Sequence, residues 1–175
     1  MSSPTEWMKN EYNDLVRKGF DWKPPVIGGP STGRTVIDGK ERIMLCANNY
    51  LSMSNHPKVK QAAIDAVKSH GAGSGSVRPI AGNMDIHNEL EDTIARFKNR
   101  EAALYYQTGF AVNSGLIPQL AGKNDAIISD QLNHGSIIDG VRLSGVKKEN
   151  RTIYAHNDMG ELEDRLKEAT NKCEK

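Results

Sequence analysis

The sequence predicts an α/β fold with a mainly parallel sheet, preceded by an N-terminal helix and arm, and three observations predict it. Beyond residue 100, short apolar runs alternate with helical patterns: residues 102–106, 109–120, 126–129, 134–143, 152–155 and 158–169. Strands that alternate with helices build parallel sheets through right-handed crossovers. Residues 1–45 lack this alternation and are dense in Pro and Gly between positions 20 and 42. The composition, 37% hydrophobic and 26% charged, is that of a chain with a packed core.

The elements follow in order. Residues 4–18 carry Trp7, Met8, Leu15 and Val16 among charges, an amphipathic pattern that Gly19 can end as a C-terminal cap. Asp38-Gly39 between residues 34–37 and 42–45 is a hairpin signal. Pro57 opens a helix that carries Val59, Ala62, Ala63, Ala66 and Val67 on one face and stops at Gly71. A glycine-rich loop follows, residues 71–82, and Asp85 is placed to cap the next helix, with Leu90, Ile94 and Phe97 along one face. Asp158 with Glu161 forms a capping box for the last helix. Three short strands make an unfinished doubly wound sheet. Residues 46–175 therefore read as the N-terminal portion of a larger domain, with residues 1–45 as helix, arm and small hairpin.

Charge and composition exclude several classes. Lys plus Arg number 23 against 22 for Asp plus Glu, a net +1 that gives no drive toward nucleic acid or an anionic membrane. No apolar run approaches the roughly 20 residues of a transmembrane helix, and residues 1–10 are polar where a signal peptide is apolar. Cys46 and Cys173 are distant from each other and form no CxxC pair. That usage fits free thiols in a reducing compartment, with neither a disulfide framework nor a zinc site, and a cytoplasmic location is expected.

Three segments carry polar groups at positions suited to chemistry. The Gly71-Ala72-Gly73-Ser74-Gly75-Ser76 loop reads either as an anion cradle or as a flexible connector, and it lacks the Lys of a Walker loop and the preceding strand of a dinucleotide fingerprint. Tyr106-Gln107-Thr108-Gly109-Phe110-Ala111 lies where a predicted strand gives way to a helix, so free N–H groups and the positive end of a helix dipole meet there. A plain glycine turn is the alternative. The Ser129–Ser136 segment follows the next predicted strand and brings His134 to the same carboxyl edge, where ligands of open α/β sheets bind.

Cys46-Ala47-Asn48-Asn49-Tyr50-Leu51, Ser69-His70-Gly71, Gly75-Ser76-Val77-Arg78 and the run from Ile128 to Gly140 together resemble the α-oxoamine synthases, a family of pyridoxal-phosphate enzymes. The likeness runs in order from about Gly33 to Ala169. Within the family, Ser76-Val77-Arg78 and Leu132-Asn133-His134 with the residues after it most resemble the glycine C-acetyltransferase branch. The resemblance implies a fold-type I aminotransferase architecture and a homodimer. It also implies pyridoxal 5'-phosphate as cofactor, with glycine and an acyl-CoA, acetyl-CoA in that branch, condensed to an amino ketone. Carried over by position, Gly109 and Phe110 donate backbone N–H groups to the cofactor phosphate, and His134 is catalytic through stacking on the pyridine ring. Asn48 falls near the amino-acid substrate, and Ser76, Val77 and Arg78 on the acyl-CoA side. The family's Schiff-base lysine and pyridinium-paired aspartate have no match here. Lys123 and Lys147 lie in polar stretches, and Asp130 belongs to the motif before His134. The chain is thus expected to be an incomplete portion of such an enzyme that needs a complementary C-terminal half. The alternatives are a non-catalytic partner subunit and a vestigial fragment.

Overall fold

The computed structural model describes residues 3–175; Met1 and Ser2, the start of the polar N-terminal stretch, lie outside the described residues. The chain divides into two compact units, one ending at Gly82 and one spanning Asn83–Lys175.

The first unit opens with α1 (Glu6–Arg17). Its end is a Schellman cap: Gly19 takes φ +72, its N–H donates to Val16 O at 3.1 Å, and Phe20 N–H donates to Leu15 O at 2.9 Å. Glycine suits that left-handed position because it carries no Cβ. The hairpin pairs β1 (Arg34–Ile37) antiparallel to β2 (Lys40–Ile43), with Ile37 opposite Lys40. Asp38 and Gly39 both have positive φ, 49 and 75, as a two-residue primed turn requires. The second strand therefore begins two residues earlier than the sequence pattern suggests. The Pro-Gly arm is itself ordered against this hairpin. Gly28 N–H donates to Val36 O and Asp38 N–H to Val26 O, both at 2.9 Å, while Val26 N–H reaches Asp38 Oδ1. α2 (Pro57–His70) starts at Pro57 as expected, and its N-cap is His56, whose ring accepts from Lys58 N–H at 3.2 Å.

The second unit contains α3 (Asp85–Lys98), α4 (Gly109–Leu120), β3 (Ile127–Asp130), α5 (Gly135–Leu143), β4 (Arg151–Tyr154) and α6 (Met159–Thr170). β3 and β4 pair in parallel, Ile127 opposite Arg151 through Asp130 opposite Tyr154, with α5 as the crossover. Arg151 ties that crossover shut: its guanidinium donates to Val146 O at 2.8 Å and Ser144 O at 2.9 Å, two carbonyls just past the end of α5. Val146 beside it is 1% exposed.

Three local expectations need correction. Residues 102–106 form no strand, because a strand exists only through a partner's ladder and none of the described residues supplies one; Tyr105 N–H goes instead to the Glu91 carboxylate at 2.8 Å. Asp85 is the first residue of α3 and not its cap. Met84 takes that place, and its N–H donates to the His87 ring at 3.0 Å. The capping box of α6 is only half made. Asp158 Oδ1 accepts from Glu161 N–H at 2.9 Å, but the Glu161 carboxylate turns away to accept from Ala155 N–H at 2.7 Å. That bond, with Arg165 at 3.1 Å, holds the Glu161 carboxyl below its ordinary range.

Among the described residues, no helix is long and apolar enough to cross a membrane. Among the described residues the buried apolar side chains are few, Ala95 and Val146, and Leu45, Ile80, Phe97 and Leu104 are well exposed.

Candidate functional site

The site is built where α4 and α5 begin. The two helices pack side by side and run in the same direction: Asn113 of α4 meets Ser136 of α5, and one turn further on Ile117 meets Gly140. Gly140 makes the approach possible. A Cβ there would collide with the backbone carbonyl of Asn113 and come within 2.9 Å of Ile117 Cδ1. Packing of this kind leaves both N-termini, with their positive dipole ends, at the carboxyl edge of β3.

At the start of α4, Thr108 is the N-cap and its hydroxyl accepts from Ala111 N–H at 3.0 Å, while Val112 N–H returns to Thr108 O at 3.1 Å. Among the described residues, no hydrogen bond takes the N–H of Gly109 or of Phe110. The space where a Gly109 side chain would begin is open, and Phe110 is 57% exposed. Two adjacent donors at a helix N-terminus with no side chain over them fit a phosphate.

At the start of α5, His134 is the N-cap, and its Nδ1 accepts from Ser136 N–H at 3.1 Å. Its ring is otherwise exposed. The same Nδ1 lies 2.7 Å from Ser136 Oγ, and Ser136 Oγ accepts from Asn113 Nδ2 at 2.9 Å. Ser136 is 4% exposed.

Asp130 ends β3, yet its carboxylate faces inward on its own edge. It accepts from Leu132 N–H at 2.7 Å, Asn157 N–H at 3.1 Å and the His156 ring at 2.9 Å. The His156 contact, followed by the Leu132 N–H, lowers its pKa from 3.8 to about 2. So many donors make Asp130 a brace between the loops after β3 and β4. Burial, with the Asp130 charge second, raises the neighbouring Tyr154 phenol. A carboxylate whose pKa falls on folding adds stability above its unfolded value and loses it as pH drops through the folded one. Thermal melts should therefore fall more steeply between about pH 4 and pH 2 for the wild type than for Asp130→Asn; parallel curves would refute the brace.

The candidate substrate residues Asn48, Ser76, Val77 and Arg78 lie in the first unit. Asn48 is exposed, with Tyr50 OH 3.5 Å from its Oδ1. Its neighbour Asn49 is the structural one, donating to Ser31 O at 2.6 Å and accepting from Ser54 N–H at 3.2 Å. Ser76 and Val77 are exposed and Arg78 is half-buried. Val77 O collects the N–H groups of Ile80, Ala81 and Gly82, which folds residues 78–82 into one wide turn. Sequence reasoning read Ser136 only as the end of the polar segment after β3 and missed Asn113 and His156. The last had a readable signal, since it follows β4 as the His134 segment follows β3.

Comparison with known proteins identifies the family. Residues 40–174 match the aminotransferase class I and II family. The chain is 48% identical over 166 residues to 8-amino-7-oxononanoate synthase of Treponema denticola, covering 95% of this chain and 41% of that protein. It is 48% identical over 167 residues to the enzyme of the same name from Alkaliphilus metalliredigens, covering 95% and 42%. Among solved structures, Sphingomonas wittichii serine palmitoyltransferase superimposes with a TM-score of 0.81 at 30% identity, over 94% of this chain and 41% of that one. A lysine-to-alanine variant of S. paucimobilis serine palmitoyltransferase, with a bound aldimine of pyridoxal phosphate and myriocin, gives 0.81 at 29% identity, over 93% and 41%. The chain thus spans about two fifths of the length of the curated relatives it matches. With the family match over most of the chain, it belongs to the class I and II aminotransferases, and within them to the pyridoxal-phosphate α-oxoamine synthases, of which it corresponds to the N-terminal portion.

Proposed function

We propose that this chain supplies the phosphate-binding and ring-stacking part of a pyridoxal-phosphate-dependent acyltransferase that condenses an amino acid with an acyl thioester. The pair of uncommitted N–H groups on Gly109 and Phe110, at the same end of the α4–α5 pair as His134, carries this reading. Pyridoxal phosphate, when bound, supplies an electron sink for the carbanion formed at the amino-acid α-carbon. Gly109 and Phe110 hold its phosphate by two backbone hydrogen bonds and the helix dipole. His134 lays a flat ring against the pyridine, which fixes the plane in which the breaking bond must align. Asn48 serves the amino acid, and Ser76, Val77 and Arg78 the acyl-CoA. Glycine and acetyl-CoA are the substrates that the Ser76-Val77-Arg78 and Leu132-Asn133-His134 motifs favour, giving an amino ketone. The working form is a cytoplasmic homodimer in which residues 46–175 begin the large domain, after the helix, arm and hairpin of residues 1–45.

The test compares two replacements of His134 in the protein assembled with the remainder of the domain. Both His134→Ala and His134→Phe delete the N-cap of α5, so both cost about 1 kcal/mol of stability. Stacking separates them. His134→Phe should keep most of the affinity for pyridoxal phosphate, while His134→Ala should lose about 0.5–1.5 kcal/mol, read by fluorescence titration. Equal affinities for wild type and His134→Ala would remove His134 from the site.

A further inference from the structure

The chain of hydrogen bonds from Asn113 through Ser136 to His134 has only one consistent direction. A backbone N–H can only donate, so the bond from Ser136 N–H at 3.1 Å requires a lone pair on His134 Nδ1. The 2.7 Å contact between Ser136 Oγ and the same nitrogen must then have the hydroxyl as donor. That leaves Ser136 Oγ as an acceptor, and Asn113 Nδ2 fills it from the neighbouring helix at 2.9 Å. Ser136 is 4% exposed and Asn113 half-buried, so the relay is shielded from competing water, and it exists only because Gly140 lets α4 and α5 close together.

We propose that Ser136 and Asn113 are positioning residues that lock the exposed imidazole of His134 in one orientation and in one tautomer, with Nδ1 bare and the proton on Nε2. The hydrogen on the second nitrogen of a histidine is set by the bond the first one makes. Two donors on Nδ1 therefore fix both the proton and the ring plane, and a ring that must lie flat against a ligand gains from being held before the ligand arrives. The functional meaning rests on the proposed role of His134, but the tautomer does not depend on it.

Asn113→Asp is the decisive variant, because it keeps the shape and replaces a donor by an acceptor. The Ser136 hydroxyl then turns to the new carboxylate and leaves Nδ1. In the full chain labelled with 15N in its histidine rings, with His134 signals assigned by their loss in His134→Phe, the wild type should show bare Nδ1 and protonated Nε2. Asn113→Asp should raise the Nδ1–H form of His134 several-fold from a minor species, with the other four histidine rings unchanged. Ser136→Ala, which deletes the hydroxyl, should raise it to a lesser degree. A wild-type ring with protonated Nδ1, or a folded Asn113→Asp protein with the wild-type pattern, overturns the proposal. Should Asn113→Asp fail to fold, Ser136→Ala decides, and an unchanged pattern there overturns it too. Loss of pyridoxal-phosphate binding with the tautomers as expected would count against the proposed function and support the relay as stated.

Discussion

Gly140→Ala is expected to unfold the second unit at a temperature some 10–20 °C below the wild type, from a loss of about 3 kcal/mol. The cause is local and severe. The added methyl meets the Asn113 carbonyl and Ile117 Cδ1 across the helix pair, and a backbone carbonyl cannot swing aside as a side-chain tip can. Relief requires α4 and α5 to part, which breaks the Asn113–Ser136 bond at the same time. Gly145→Ala is the control, since nothing lies within 4 Å of a Cβ there and its φ is not positive. Circular-dichroism melts of the two variants, each with the complementary segment of the domain bound, decide the matter, and equal melting of Gly140→Ala and wild type would show that the helices do not touch at this point.

A comparable gain in stability is expected when the chain meets the remainder of the domain found in its longer relatives. Alone, it should bind a hydrophobic dye and melt broadly, because Leu45, Phe97 and Ile80 are 91%, 82% and 82% exposed and residues 102–106 find no partner strand among the described residues. Supplied in trans at a hundred times its dissociation constant, the complementary segment should raise stability by about 2.7 kcal/mol and make the melting temperature depend on its concentration. A sharp transition of the isolated chain with no dye uptake, unchanged by the added segment, would mean that this exposed apolar surface needs no cover.

Helices and turns were legible because their causes are local. Pro57, Gly19 and the Asp38-Gly39 pair act through their own backbone, and each sits in the structure where the sequence places it. Residues 102–106 were misread for the opposite reason. Ala-Ala-Leu-Tyr-Tyr has the apolar, aromatic character of a strand, but a strand is a relation between two segments, and none of the described residues pairs with this one. The candidate site divides in the same way. Gly109 and His134 stood out because each follows an apolar run and opens a helix. Asn113 and Ser136 did not, since their meeting is set by how closely α4 approaches α5, and no periodicity records the distance between two helices. Asp85 shows the limit of local rules too: an aspartate before a helix is a good cap, yet the His87 ring satisfies the Met84 N–H and moves the boundary back by one residue.

The parallel pair of β3 and β4 has a kinetic consequence. Parallel strands demand a crossover and in many proteins join segments far apart in sequence, which slows folding because a long loop must close before any contact rewards it. Here each β3 residue pairs with one only two dozen positions downstream, and the single α5 crossover is clamped by Arg151 within the same stretch. The pair of strands, its helix and its clamp can therefore assemble early and as one cooperative piece. During synthesis, that piece would be ready as a template before later segments leave the ribosome, so the order in which the domain is built follows the order in which it is read.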